Sequence, residues 1–289
     1  FEDMSISSFD SRTRAFVKIQ DGCENYCSYC IIPFVRGKCR SKEKDTVIKE
    51  ITELVNNGYK EIVLTGIHTG NYGCDLGIKF SDLLEEILSI KNLKRLRISS
   101  IEITELDDKF FELLKNPILC NHLHIPLQSG CDKILKLMNR KYLTKEYLSI
   151  INKIRNIRKD ISLTTDVIVG FPDETEEDFI KGIDFIKEVN FSKVHVFPYS
   201  KRDGTKASRM ENQVDTNTKK ERTKKLIKIS EELEQKYYNS FIEKKENVLV
   251  EKVEDNYSYG HTSNYLYLKI PKVLKTNEIY EIEITEDMF

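Results

Sequence analysis

The chain has 289 residues, of which 39% are hydrophobic and 32% are charged, and its formal net charge is −1. This composition is typical of a soluble globular protein with one large domain, or one domain plus a small one, and no run approaches the roughly 18 apolar residues of a membrane span. Seven cysteines, an odd number and mostly scattered, argue against a disulfide framework and for a reducing, cytoplasmic compartment.

The first informative stretch is a cysteine-rich loop. Residues 1–11 are polar and Ser-rich and predict a linker, and residues 14–20 alternate apolar and polar side chains, which predicts a strand. The strand runs into Cys23, Cys27 and Cys30, spaced C-x3-C-x2-C. Three thiolates in so short a loop can hold one metal site and leave a position open, as a catalytic iron–sulfur cluster requires. Packing or disulfide cysteines are the alternative.

The rest of the first 240 residues alternates between helical and strand patterns. Strands are predicted at 61–66, 94–99, 121–125, 162–169 and 193–197, and helices at 45–57, 81–90, 107–115, 132–139, 144–158, 175–189 and 216–243. Six strands, each followed by a helix, predict a parallel sheet, either open and doubly wound or closed into a partial (β/α) barrel. Both folds place their chemistry at the C-terminal ends of the strands, where the cysteine loop and five short polar segments fall.

The last 45 or so residues follow a different pattern. Segments 247–253, 265–270 and 279–284 are β-rich and predict a small all-β module. Its tyrosines either stack on bases or cover a small core, and the sequence leaves both open. Residues 12–42 carry a local charge of +5 and residues 201–228 carry +6, which is compatible with RNA binding or with an ordinary solvated face.

These motifs together resemble a known family. The cysteine loop, with Gln20 before it and Arg36 and Arg40 after it, resembles the radical SAM superfamily and, within it, the methylthiotransferases. Segments 64–70, 97–102 and 197–200 are similar to the type that modifies threonylcarbamoyladenosine in tRNA, and residues 260–265 resemble the RNA-binding TRAM domain.

The resemblance implies a fold and a domain organisation. We expect an α/β partial (β/α)6 TIM-like radical SAM barrel at 12–240, followed by a small all-β, OB-like TRAM barrel at 241–289. Residues 1–11 would be the linker from a further N-terminal domain.

The resemblance also implies cofactors and the residues that bind them. Cys23, Cys27 and Cys30 would bind three irons of a [4Fe–4S] cluster, and the fourth iron would bind S-adenosylmethionine, whose reductive cleavage gives a radical. A second S-adenosylmethionine would supply the methyl group carried on sulfur. The candidate contacts to S-adenosylmethionine or substrate are Tyr29, Gly66, Glu102, Gln128, Ser129 and Asp166. Tyr29, Gly66 and Asp166 each have a purely structural alternative, as a packing, turn or hydrogen-bonding residue. We expect His68 to pack rather than catalyse.

The implied partners are a tRNA anticodon loop and an electron donor such as flavodoxin or ferredoxin, with no membrane. Arg36 and Arg40 would hold phosphate or bridge acids within the fold, and Tyr265 and Tyr267 would contact RNA.

The implied function is the addition of a methylthio group to C2 of N6-threonylcarbamoyladenosine at position 37 of tRNA. One alternative is a methylthiotransferase for isopentenyladenosine or for a ribosomal protein. An alternative of another class is a non-catalytic RNA-binding protein with zinc at Cys23, Cys27, Cys30 and Cys39.

The family carries a second cluster on the N-terminal domain, so we expect one cluster in the 289-residue chain and no complete methylthiolation by this chain alone. Iron and sulfide analysis of anaerobically reconstituted protein should give the load of one four-iron cluster. About eight irons per chain, the load of two such clusters, would contradict the expectation.

Overall fold

The fold is described from a computed structural model for residues 13–289; the predicted linker at 1–11 lies outside the described residues. In chain order, the core elements are β1 (Arg14–Asp21), α1 (Ile32–Val35), β2 (Arg40–Ser41), α2 (Lys44–Asn56), β3 (Glu61–Gly66), α3 (Phe80–Leu88), β4 (Arg95–Ile98), α4 (Asp108–Leu113), β5 (His122–His124), α5 (Asp132–Leu137), α6 (Thr144–Ile157), β6 (Ser162–Val169), α7 (Glu176–Val189), β7 (Lys193–Pro198) and α8 (Thr216–Asn239). Among these residues, no helix is both long and apolar enough to cross a lipid bilayer.

Six parallel strands form the predicted partial barrel. One sheet has the order β2-β1-β3-β4 and the other β5-β6-β7, with every neighbouring pair parallel except β1 and β2. The sheets meet where an isolated parallel bridge pairs Leu96 with Leu119, and where the amide of Ile101 donates to the carbonyl of His124 at 3.0 Å. We call this junction between β4 and β5 the seam.

Apolar burial explains why these segments are strands and helices. Ala15, Val17 and Ile19 on β1 are fully buried, and the helices cover the sheet with apolar stripes at helical spacing, such as Val47 and Ile51 on α2. Helix α8 ends at Asn239 and not at the predicted residue 243. The chain turns there because it has to deliver Phe241 to a second core, and the amide of Glu243 then pairs with the carbonyl of Ile284 at 2.9 Å.

The C-terminal residues form an antiparallel β module. Its strands β8 (Lys245–Glu254), β9 (Tyr257–Thr262), β10 (Tyr267–Ile270) and β11 (Ile279–Glu283) are arranged in the order β10-β9-β8-β11. The core of the module contains Phe241, Val248, Leu266, Leu268, Ile270 and Ile284. The predicted all-β module is therefore present, while the domain boundaries proposed from the sequence stay a prediction.

A buried ionic junction fastens this module to the barrel. Glu61, at the start of β3, accepts from Nε of Arg97 at 2.6 Å and lies 3.5 Å from Arg95, and all three side chains are buried. The arginines donate onward to module carbonyls, Arg95 to His261 at 3.0 Å and Arg97 to Thr262 at 3.2 Å. Burial alone would raise the pKa of Glu61, but the arginines outweigh it and lower the pKa, so the carboxylate is charged and holds both cations.

We therefore expect Glu61→Gln to destabilise the whole chain. The substitution leaves two buried guanidinium groups without a counterion, and losing one partner of a buried pair costs about 3–5 kcal/mol. Urea unfolding followed by circular dichroism measures the loss. Glu112→Gln is the control, because Glu112 pairs with Lys115 on an exposed surface at 2.6 Å and should change stability by about 1 kcal/mol or less. Equal midpoints for both variants would refute the role of the junction.

Candidate active site

The cysteine loop follows β1 and is held by backbone hydrogen bonds. The amide of Cys23 donates to the carbonyl of Gly37 at 3.1 Å, and the amide of Ser28 donates to the carbonyl of Met138 at 2.9 Å. Gly22 has φ +79°, and a Cβ there would lie 2.0 Å from the carbonyl oxygen of Lys38. Only glycine fits this entry turn.

The side chain of Gln20, on β1, supports the start of the cysteine loop through hydrogen bonds. This buried amide donates to the carbonyls of Asp21 (3.0 Å) and Gly22 (2.8 Å) and to Sγ of Cys39 (3.3 Å), while its oxygen accepts from the amide of His68 at 2.7 Å. The start of the cysteine loop and the segment after β3 are thus joined by one group.

Each of the three loop sulfurs has an N–H group next to it. The amide of Asn25 lies 3.5 Å from Sγ of Cys23, and Nη1 of Arg140 lies 3.4 Å from Sγ of Cys27. Burial raises the pKa of Cys30, and the backbone amide of Ile32 acts in the opposite direction. N–H donors of this kind stabilise thiolate ligands and tune clusters that the thiolates hold.

The three cysteines line one cavity of about 270 Å³ at the C-terminal ends of the strands. Four further residues from the sequence prediction line it as well: Tyr29, Glu102, Gln128 and Asp166. Gly66 and Ser129 are not among its lining residues; Gly66 packs against Gln20, and the buried Ser129 accepts from the amide of Cys131 at 3.2 Å. The cofactor-binding role of all six stays a prediction.

The cavity fits a cluster better than a single ion. A tetrahedral zinc with bonds of about 2.3 Å needs sulfurs about 3.8 Å apart. Among the described residues, the one set of three potential ligands within 4.8 Å of one another is Cys39, Cys74 and Asp75, and the loop cysteines form no such set. Thiols that face one cavity, yet stand wider apart than an ion allows, suit a larger multi-iron group. Cys39 belongs to that separate set, which argues against the four-cysteine zinc site.

Arg140 is the site residue that the sequence analysis missed. It pairs with Glu102, donates to the hydroxyl of Tyr142 at 2.8 Å and reaches Cys27. It lies in the connection between α5 and α6, whereas the predicted site residues all follow or lie on strands. The signal available in the sequence was a cation directly after a helix stop, Asn139, which has φ +61°.

His68 is held between the loop and an acid. Nε2 of His68 pairs with Glu105 and lies 3.2 Å from the side-chain nitrogen Nδ2 of Asn25. Burial of the ring disfavours its proton, but interactions with Cys23 and Glu105 outweigh burial and raise the pKa of His68 to about 10. The ring therefore carries a positive charge beside the first cysteine.

The predicted RNA-contacting residues occupy two different places. Arg36 and Arg40 lie near the cysteine loop, 3.5 and 3.8 Å from Asp21, with about half of each side chain exposed. Tyr265 stacks on His122 with centroids 4.7 Å apart, and Tyr267 lies 4.7 Å from His261. The arginines thus bridge an acid within the fold, and Tyr265 contacts the barrel; RNA binding by any of the four stays a prediction.

A second, larger cavity of about 470 Å³ lies between the barrel strands and the β module. It is lined by His122, His124 and His195 from the barrel and by Tyr265 and Tyr267 from the module. Burial, with a smaller contribution from Arg97, lowers the pKa of His122, so this ring is neutral. His124 lies 3.2 Å from Asp166, which lines the smaller cavity, and this contact links the two spaces.

Comparisons with known proteins bear on this site. Residues 17–186 match the model of the Radical SAM superfamily. The threonylcarbamoyladenosine tRNA methylthiotransferase MtaB of Bacillus subtilis (strain 168) is 46% identical over 274 residues, which cover 92% of this chain and 61% of that protein. A tRNA-2-methylthio-N(6)-dimethylallyladenosine synthase of Acetivibrio thermocellus is 40% identical over 267 residues, which cover 90% of this chain and 55% of that protein.

A solved structure shows the same fold. Coproporphyrinogen III oxidase (HemN) from Escherichia coli, described as a Radical SAM enzyme, superposes with a TM-score of 0.57 at 16% identity, covering 78% of this chain and 54% of that chain. The predicted partial barrel is thereby confirmed. The chain spans only 55% to 61% of the length of the two sequence relatives.

We expect Gln20→Glu to weaken retention of a cluster on the loop. The carboxylate cannot donate to the carbonyls of Asp21 and Gly22, and each buried group left unpaired costs about 1–3 kcal/mol, so iron should be released about tenfold faster to a chelator. Iron and sulfide analysis with chelator release kinetics measures this. Gln235→Glu is the control, because that side chain is exposed and bonds only to Asn239 (2.8 Å) among the contacts described for it. Identical release from both variants would contradict the supporting role of Gln20.

Proposed function

The chain belongs to the radical SAM superfamily, and from this premise we propose that it is the catalytic part of a tRNA methylthiotransferase. The proposed reaction adds a methylthio group to C2 of N6-threonylcarbamoyladenosine at position 37. The observation that carries the chemistry is the set of three thiols, each with an N–H group beside it, facing one cavity at the strand ends. The substrate is proposed from the 46% identity to a relative named for it.

The chain's own residues have separate tasks in this proposal. Cys23, Cys27 and Cys30 would hold three irons of a [4Fe–4S] cluster as thiolates. With S-adenosylmethionine, the bound cluster supplies one-electron cleavage of the sulfonium to a carbon radical. The ring of Tyr29 packs edge-on against the ring of the buried Phe171, with centroids 6.4 Å apart. These two rings would keep water from the reacting centre.

The acids and cations of the cavity would orient the bound molecules. Arg140 fixes Glu102 and Tyr142 across the seam, so that a carboxylate faces the cavity in one orientation. Asp166, on β6, lies 3.2 Å from His124. We propose that Glu102 and Asp166 accept hydrogen bonds from the ribose or amine groups of S-adenosylmethionine.

RNA would approach over a basic segment beside the cysteine loop. The amide of Ala207 donates to the carbonyl of Ser28 at 2.7 Å, so residues 201–209 lie against the loop. Lys201, Arg202 and Lys206 in this segment are exposed. An anticodon loop is single-stranded, so its base can enter a pocket without opening a duplex.

The β module would grip a different part of the tRNA. It contacts the starts of β3 and β4, whereas the cysteine loop follows the end of β1. Six residues of strand, at about 3.3 Å each, put roughly 20 Å between the two levels. Tyr265 and Tyr267 would therefore contact RNA away from the modified base, along the side of the barrel.

A second substrate is favoured by a specific observation. The 40% identity to a relative named for dimethylallyladenosine is close to the 46% found for threonylcarbamoyladenosine. The two reactions modify the same atom of adenine, so the cysteine site serves both, and only the contacts to the N6 substituent distinguish them.

Nucleoside analysis of tRNA from a strain lacking the gene tests the proposal. We expect the 2-methylthio form of N6-threonylcarbamoyladenosine to disappear and the unmethylthiolated nucleoside to accumulate. The complete native gene should restore it, and the same gene with Cys27→Ala should not, because the thiolate is lost. The complete gene with Cys120→Ala, which changes a buried cysteine outside the cavity, is the control and should restore it. Loss of the methylthio group from isopentenyladenosine instead would overturn the substrate, and unchanged nucleosides would overturn the function.

A further inference from the structure

A second sulfur-containing cluster lies beside the cysteine loop and is not part of the cavity. Sγ of Cys39, Sγ of Cys74 and a carboxylate oxygen of Asp75 all lie within 4.8 Å of one another. Cys39 precedes β2 and is buried, while Cys74 and Asp75 are exposed in the loop between β3 and α3. Cys39 and Cys74 are 35 positions apart in the chain, yet the fold brings their thiols and the carboxylate of Asp75 close together.

Side-chain and backbone N–H groups orient all three. Nε2 of Gln20 donates to Sγ of Cys39 at 3.3 Å, and Nδ2 of Asn71 donates to Sγ of Cys74 at 3.4 Å. The amide of Ser41 donates to the carboxylate of Asp75 at 2.9 Å. Metal ligands in proteins are commonly held by such outer hydrogen bonds, which fix their direction.

The ligand atoms of the three side chains determine which metal ion fits the group. Two thiolates with one carboxylate suit zinc, which accepts sulfur and oxygen ligands in a tetrahedron, with ligand atoms about 3.8 Å apart for bonds of about 2.3 Å. Calcium and magnesium prefer oxygen ligands alone. Among the described residues the set has three protein ligands, so a water would complete the tetrahedron.

We propose that Cys39, Cys74 and Asp75 form a zinc site that braces the cysteine loop. Binding releases the thiol protons and links the segment after the loop to the segment after β3. Gln20 joins this site to the loop, because the same amide nitrogen donates to Cys39 and to the carbonyl of Gly22. The ion is redox-inert, so its role is structural support.

Metal analysis of the full chain tests the site. The chain is reconstituted anaerobically with its cluster, given Zn²⁺ under reducing conditions and dialysed against a weak chelator. We expect about one zinc per chain beside the cluster iron, and a rise in the thermal midpoint on adding Zn²⁺. Cys74→Ser should retain less than about a tenth of that zinc, since a thiolate ligand is lost, while the loop cysteines still take up iron and sulfide. Cys74 is exposed, so this variant should fold.

The controls separate this site from the cluster cysteines and from disulfide formation. Cys131→Ser, which changes a buried cysteine that lies outside the group, should keep both metals. Three results would overturn the proposal: no zinc retained by the parent chain, equal zinc in the parent and Cys74→Ser, or zinc that leaves when the cluster is installed. A Cys39–Cys74 disulfide whose full reduction restores no zinc binding would also overturn it.

Discussion

The hydrogen bonds of one buried side-chain amide, that of Gln20, connect the parts of the candidate active site. Gln20, the residue before the last of β1, donates to two carbonyls at the turn into the cysteine loop and accepts a hydrogen bond from the amide of His68, in the segment after β3. A buried side-chain amide is stable only when its N–H groups and its oxygen are all hydrogen-bonded. Loss of one of these hydrogen bonds therefore weakens the others. Gln20 thus supports the start of the cysteine loop without touching any of its three thiols, and Cys39, which it does touch, belongs to the neighbouring group.

Charge is used differently at the two ends of the barrel. At the strand starts, Glu61 pairs with Arg95 and Arg97, which donate to module carbonyls, so these charges hold the module to the barrel. At the strand ends, Arg140 and Glu102 form a pair that lines a cavity and reaches Cys27. The first group is buried against the module, whereas the second faces the space where the proposed reaction takes place.

The sequence predicted the parts of the fold that are governed by periodic burial. The six parallel strands follow from short apolar runs such as 61–66, whereas β2 was missed because it has two residues and exists only through pairing of Arg40 and Ser41 with β1. Functional residues are expected at the C-terminal ends of strands, and this rule predicted Glu102 and Gln128 in the cavity. It did not predict Arg140, because Arg140 lies in the connection between two helices. Side-chain pairing was beyond sequence patterns: Arg36 and Arg40 meet Asp21, and Tyr265 meets His122.

The seam has a mechanical consequence. The cysteine loop and Glu102 follow strands of one sheet, while Gln128 and Asp166 belong to the other. A small rigid rotation of one sheet against the other would leave every ladder within each sheet intact and still widen or narrow the gap between these groups. Arg140 contacts Cys27 and Glu102 from the second sheet's side and so ties the two sides of the cavity together. The width of the cavity therefore depends on the backbone hydrogen bonds across the seam and on this one arginine.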